Sequence, residues 1–96
     1  MSQIQELHAQ AMNFAERAEL AKLLGYTAAM QDLLRQAFEL EYQAAQQVAE
    51  LIDAEPTRSV LHRSAATLAI ACGELQTAEQ LSLLSLASPP RILPQN

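Results

Sequence analysis

The sequence predicts an all-α fold of two antiparallel helical hairpins, with about four helices in all. Three observations support this prediction. Half of the 96 residues are hydrophobic, mainly Ala and Leu, which together with Gln favour helices. Apolar residues recur at steps of three and four, the period of one helical face. The two glycines, Gly25 and Gly73, each follow such a stretch, at the position where helices commonly end.

The first helix is predicted to run from Gln3 to Leu24. Ser2 is a suitable cap at its start, because a serine oxygen can accept a hydrogen bond from the first turn. Gly25 tolerates the left-handed conformation with which helices often end. The apolar face of this helix consists of Ile4, Leu7, Ala11, Phe14, Ala18 and Ala21.

The second helix is predicted to run from about Ala28 to Asp53, a length of about 39 Å at 1.5 Å per residue. Its apolar stripe is wider and comprises Met30, Leu33, Leu34, Ala37, Phe38, Ala44, Ala45, Val48, Leu51 and Ile52. The C-terminal half of this helix and the residues after it are acidic, which opposes the helix dipole. We interpret these acidic side chains as a solvated charged end: Glu39, Glu41, Glu50, Asp53 and Glu55.

Pro56 separates the second hairpin from the first, because proline disfavours helical geometry in the residue before it. The third helix is predicted to extend to Cys72, with Thr57 or Ser59 as its cap. Its inward side chains are Val60, Leu61, Ala65, Leu68, Ala69 and Cys72.

The fourth helix is predicted to be capped by Thr77 and to end before Pro89 and Pro90. Its inward side chains are Ala78, Leu81, Leu84 and Leu86. We predict one domain over residues 1–90 and an extended or disordered tail over 91–96.

The composition excludes several classes of function. The net charge is −5 with only six Lys and Arg residues, whereas nucleic-acid binding needs clustered basic side chains, so no nucleic-acid partner is expected. No stretch approaches the ~20 apolar residues that span a bilayer, so no membrane association is expected. The single cysteine, Cys72, cannot form an internal disulfide, and we predict a cytoplasmic protein.

No catalytic, cofactor-binding or metal-binding residue is predicted, and no cofactor. His8 and His62 lie in no metal-ligand pattern, and we interpret both as structural or exposed. Cys72 falls in the last turn of a helix, where the dipole raises a thiol pKa, so we interpret it as a core residue. The serines have no nucleophile motif, and no glycine-rich phosphate loop is present. The case for an enzyme is limited to two carboxylates three residues apart, Glu16 and Glu19.

The second hairpin resembles a tetratricopeptide repeat (TPR), a helical hairpin that stacks into arrays. Ala66, Gly73, Ala78 and Pro90 have the spacing of the small, turn, small and proline positions of that repeat. The first hairpin matches less completely, with Ala18 and Gly25 in the corresponding places but Met30 where a small residue is expected and Tyr42 in place of the proline. The two glycines are 48 residues apart rather than 34. The resemblance implies right-handed TPR-like stacking of degenerate repeats.

Residues 55–79 also resemble an uncharacterised family of small bacterial TPR-like proteins, through the segments EPTRS, RSAA, CGE and AE. Some members of that family continue into another helix after the proline pair. The resemblance therefore implies that the outer face of the fourth helix is left open here. Because stacked repeats need polar caps or neighbours to cover their outer faces, we expect a homodimer.

These observations predict a non-enzymatic protein–protein interaction module that self-associates and binds an unidentified protein or peptide. In TPR proteins the first helix of each hairpin forms most of the binding surface. The resemblance transfers that role to a candidate peptide-binding surface of Glu19, Lys22, Arg63 and Thr67. The carboxylate clamp of some TPR domains is not matched, because Glu16 and Ser64 occupy its places. An alternative is a regulatory domain that senses a small ligand between its helices.

Overall fold

The computed structural model describes residues 2–86 and confirms an all-α fold of two hairpins. The four helices are α1 (Gln3–Leu23), α2 (Thr27–Val48), α3 (Thr57–Ala71) and α4 (Leu75–Leu86). A short 3₁₀ turn, η1 (Ile52–Ala54), lies between α2 and α3. Each helix packs on the next, α1 on α2, α2 on α3 and α3 on α4. The predicted boundary at Pro90 and the predicted tail over 91–96 lie outside the described residues.

The start of α1 is capped as predicted. The Ser2 hydroxyl oxygen accepts a hydrogen bond from the Gln5 backbone N–H at 3.1 Å, and the Gln5 side-chain oxygen accepts one from the Ser2 N–H at 3.3 Å. This reciprocal arrangement is a capping box. It satisfies two backbone donors that the helix itself leaves without partners.

Both hairpin turns use glycine in the left-handed conformation, as predicted. Gly25 has a φ of 81° and Gly73 a φ of 80°. The Tyr26 N–H donates to the Ala21 carbonyl after α1, and the Glu74 N–H donates to the Ala69 carbonyl after α3, both at 2.8 Å. These bonds close Schellman motifs, which end a helix sharply and allow the chain to reverse.

The core is built mainly of alanine. Among residues 2–86, ten of the fifteen hydrophobic residues described as buried are alanines, and these are contributed by all four helices. The larger buried apolar side chains are Phe38, Val48, Leu61, Leu68 and Leu81. Phe38 also stacks on Tyr42, with ring centroids 5.5 Å apart. Small side chains allow the helices to approach closely, so the core is thin.

The predicted end of the second helix at Asp53 is wrong, because α2 ends at Val48. The Arg58 guanidinium donates from Nε to the Ala49 carbonyl at 2.8 Å, which supplies a donor and a positive charge just beyond the helix. The chain then becomes extended at Leu51 before η1. Leu51, predicted to continue the apolar stripe, is consequently about half exposed.

The predicted caps of the second hairpin are also wrong. α3 begins at Thr57, and neither Thr57 nor Ser59 caps it through a side chain. Instead, the Glu55 carboxylate accepts hydrogen bonds from the Ser59 N–H at 3.1 Å and from the Ser59 hydroxyl at 2.7 Å. α4 begins at Leu75, so Thr77 lies inside the helix.

Besides Leu51, three apolar side chains predicted to face inward are exposed. Val60 is 44% exposed, and on α4 the exposed fractions of Leu84 and Leu86 are 42% and 82%. Val60 lies on the side of α3 opposite its buried residues, which include Leu61, Ala65 and Ala69. In the described part of the chain, only Ala78 and Leu81 of α4 are buried, because α4 packs mainly on one neighbour, α3.

We predict that replacing Gly73 with alanine destabilises the protein by about 1–2 kcal/mol, the cost of a left-handed conformation for an L-residue. A Cβ at this position would meet no other atom within 4 Å, so backbone strain is the expected cause. Urea unfolding followed by helical circular dichroism measures the change. Gly73→Asn is the control, since asparagine tolerates this conformation better. Equal losses for the two variants would contradict the explanation.

Candidate functional site

A buried carboxylate and a histidine connect α1 to α2. The Glu41 side chain, in the middle of α2, is completely buried. The His8 ring nitrogen Nδ1 lies 2.9 Å from both Glu41 carboxylate oxygens and donates a hydrogen bond to them. The His8 side chain is 41% exposed, so the pair extends from the core to the surface. The contact fixes the orientation of the imidazole ring.

The interpretation of Glu41 as part of a solvated acidic end is wrong. Glu41 lies seven residues after Leu34 and seven before Val48, and this spacing places it on the core-facing side of α2. An ionised group in that position needs a hydrogen-bond partner, and His8 provides it. His8, interpreted as structural or exposed, is both: it contacts the buried Glu41, and its side chain is partly exposed.

A groove lies between the first turns of α1 and α3. Its volume is about 260 Å³, and its lining is mostly apolar. We call this the N-terminal groove, and it is lined by Ile4, Gln5, His8, Pro56, Thr57, Val60 and Leu61. Because Nδ1 of His8 is engaged by Glu41, Nε2 is the ring atom left to make another hydrogen bond.

A second set of buried polar groups holds the connection between the hairpins. Arg58 is 2% exposed and donates to the Ala49 carbonyl and, from Nη1, to the Glu55 carboxylate at 3.3 Å. His62 is 1% exposed, and its Nδ1 donates to the Arg58 backbone carbonyl at 2.8 Å. These side chains hold the loop before α3 in place through hydrogen bonds within the fold.

The opposite end of the molecule carries a more exposed ion pair. Arg35 of α2 donates to the Glu74 carboxylate at 3.0 Å and to the Cys72 carbonyl at 3.4 Å, which ties α2 to the second hairpin turn. Cys72 is half-buried and packs against the core. Burial raises the pKa of its thiol, with a smaller opposing effect of Arg35, so the thiol is not activated as a nucleophile.

The candidate peptide-binding residues Glu19, Lys22, Arg63 and Thr67 are all exposed. Among residues 2–86, no hydrogen bond or ion pair joins the pair on α1 to the pair on α3. The Thr67 hydroxyl donates to the Arg63 carbonyl of its own helix at 3.0 Å. None of the four lines the N-terminal groove.

One side of α4 carries three exposed leucines, with the exposed Glu79 among them. Leu75, Leu83 and Leu86 are 66%, 62% and 82% exposed, and at 100° per residue their side chains fall within one quadrant of the helix. We call these three residues the α4 face. The sequence predicted an open outer face on this helix, although it placed Leu86 on the inward side.

The described residues offer no metal centre and no membrane span. Among residues 2–86, no group of three or more His, Cys, Asp or Glu side chains is arranged to hold a metal ion. No helix in that range is both long enough and apolar enough to cross a bilayer. His8 and Glu41 therefore form a two-residue contact without a third potential ligand.

No protein-family model matches the chain, and neither the curated proteins nor the solved structures include a match. The resemblance to TPR-like proteins therefore rests on the residues quoted for it.

We predict that His8→Leu destabilises the protein by about 3 kcal/mol, because it leaves the buried Glu41 carboxylate without its donor. The double variant His8→Leu with Glu41→Met should recover most of this loss, since apolar groups then replace both partners. Urea unfolding of the wild type and the three variants completes the cycle. Simple additivity of the two single changes would show that the contact contributes nothing to stability.

The Glu55 contact predicts a dependence on pH. The hydrogen bond from the Ser59 hydroxyl, aided by the Ser59 N–H and by Arg58, lowers the pKa of Glu55 below its ordinary value of 4.5. Ionised Glu55 therefore stabilises the fold fully above about pH 4.5, and this contribution disappears as pH falls through the lowered pKa.

We accordingly expect Glu55→Gln to lower the urea midpoint at pH 7 and to have a smaller effect at pH 3. Comparing wild type and variant at both values isolates the carboxylate, because other acid-labile groups are common to the two proteins. A deficit that is equal at the two pH values would contradict the assignment.

Proposed function

We propose that this protein is a non-enzymatic protein–protein interaction module that forms a cytoplasmic homodimer and has TPR-like right-handed stacking. Two features of its architecture support this proposal. Consecutive helices pack on one another in chain order, as in stacked hairpins. The first helices of the two hairpins, α1 and α3, lie with their N-terminal turns side by side around the N-terminal groove.

The observation that carries the proposal is the α4 face. Three leucines project from one quadrant of a helix that packs mainly on α3 in the described part of the chain. Single exposed apolar residues are ordinary, but three exposed leucines on one side of a helix, beside the exposed Glu79, support an interaction site. A second copy of the chain is the partner that we propose for this face.

The same proposal treats Glu19, Lys22, Arg63 and Thr67 as a surface for a protein or peptide partner. Their exposure supports this role. On α3, Arg63 and Thr67 share the outward side with two exposed apolar residues, Val60 and Ile70, which adds apolar contact area to the polar groups. A non-enzymatic role is supported by the engagement of the buried polar side chains, Glu41, Arg58 and His62, within the fold.

We expect light scattering after size-exclusion chromatography to give twice the 10.5 kDa chain mass for the wild type. Replacing both Leu83 and Leu86 with glutamate should give the monomer mass, because two charges would have to be buried at the contact. Leu23→Glu is the control, since Leu23 is 80% exposed but lies on α1. A wild-type protein of uniform 10.5 kDa mass would contradict self-association.

A further inference from the structure

The exposed side of α4 carries two polar residues between two leucines. At 100° per residue, four side chains fall within about 60° of one another around the helix axis. We call them the α4 seam, which consists in chain order of Leu75, Glu79, Ser82 and Leu86. The two leucines are 66% and 82% exposed, Glu79 is exposed, and Ser82 is partly exposed. The buried residues of α4 are centred about 100° away around the helix, so the seam stays accessible while α4 packs on α3.

The spacing of the α4 seam is the same when it is read from either end. Its members are separated by four, three and four residues, the alternation with which the side chains of two paired helices interlock. In reverse, the order is again leucine, polar, polar, leucine. A surface with this pattern is complementary to a second copy of itself, related to it by a two-fold axis through the middle of the seam.

Charge decides between the two orientations that such a helix pair can adopt. In a parallel pair, Glu79 would lie directly opposite Glu79 of the second copy, which brings two like charges together at the contact. In an antiparallel pair, Glu79 lies opposite Ser82 of the second copy, whose hydroxyl can donate to the carboxylate. Leucine meets leucine in both orientations. The residues of α4 include no Lys or Arg, so this helix provides no cation to offset Glu79 in a parallel pair.

We propose that two copies of the chain associate through antiparallel α4 helices. Leu75 packs on Leu86 of the second copy, and Glu79 accepts a hydrogen bond from Ser82 of the second copy. The two-fold axis repeats each contact, so two leucine contacts flank two polar ones. The leucines supply apolar area, and Glu79 with Ser82 determines the orientation. This inference rests on the proposed self-association and adds its orientation, its register and the residues that select them.

A lysine at position 82 distinguishes the two orientations. In the antiparallel pair, Ser82→Lys places a cation opposite Glu79 of the second copy at two symmetric positions. The dimer dissociation constant, measured by analytical ultracentrifugation, should therefore fall about fivefold. Gln76→Lys is the matched control, because it adds the same charge three residues from Glu79 but lies about 90° from the seam. Its dissociation constant should stay within about twofold of the wild type.

Charge reversal extends this test. Adding Glu79→Lys to Ser82→Lys should make the dimer weaker than the wild type, because only lysines then face one another between the leucines. Glu79→Lys combined with Ser82→Glu should recover the affinity of Ser82→Lys, since the opposite charges exchange places but still meet. The substituted positions are exposed or partly exposed, so these variants should fold, which circular dichroism verifies.

Cysteine cross-linking tests the register. Leu75→Cys and Leu86→Cys are prepared as separate proteins in a Cys72→Ser background, which removes the native thiol. After mild oxidation, an equimolar mixture of the two should form a disulfide-linked dimer, whereas neither should form one alone. Leu23→Cys in the same background controls for random collision, because Leu23 is 80% exposed but lies on α1.

Three outcomes would overturn the inference. Cross-linking of each cysteine variant with itself, together with a weaker dimer for Ser82→Lys, would show a parallel pair. An intact dimer in which Ser82→Lys and Gln76→Lys behave alike and no cysteine pair cross-links would place the interface on another surface. In both cases the proposed self-association would stand. A wild-type protein that remains at 10.5 kDa would reject self-association itself, and this result is read from the wild-type mass alone.

Discussion

The packing of α1 against α2 depends on how the Glu41 carboxylate is satisfied. A completely buried carboxylate loses its hydration, and in a core of this kind the loss is tolerable only if a donor replaces water. His8 supplies that donor from the neighbouring helix, with both oxygens 2.9 Å from one ring nitrogen. The contact therefore specifies the pairing of the two helices as well as contributing to stability. A sliding or rotation of α1 along α2 would expose the carboxylate to an apolar surface instead.

Because the core residues are small, a few buried polar contacts have a large effect on how the helices pack. Alanine dominates the buried set, and each alanine removes little apolar surface from water compared with a leucine or phenylalanine. The largest fully buried side chains are polar: Arg58, His62 and Glu41. Among residues 2–86, no buried side-chain nitrogen or oxygen lacks a hydrogen-bond partner. Alanine contacts make the helices close neighbours, and the polar contacts select one register among the many that such smooth surfaces would allow.

Local patterns in the sequence predicted the helices and their turns, because helical periodicity and glycine termination are properties of neighbouring residues. The burial of Glu41 could also have been predicted from its seven-residue spacing to Leu34 and Val48. It was missed because the acidic residues were grouped by their charge, without regard to the side of the helix on which each one lies. The early end of α2 could not be read locally, since it depends on Arg58, nine residues beyond the Ala49 carbonyl that it caps. His8 and Glu41 are 33 residues apart, and no local signal relates them. An open outer side of α4 was expected from the repeat resemblance, but its residues were not identified and Leu86 was placed inward. The N-terminal groove was not predicted, because it forms between two separate hairpins.

The distribution of polar groups also bears on the kind of function this fold can support. Arg58 and His62 are turned inward and hold the inter-hairpin loop. His8 combines a fixed orientation with partial exposure, and the groove that it lines is mostly apolar, with Gln5 and Thr57 as further polar residues. An oriented polar group beside an apolar recess restricts which chemical groups fit there. The same buried contact that pairs α1 with α2 thus also orients a partly exposed polar group in the N-terminal groove.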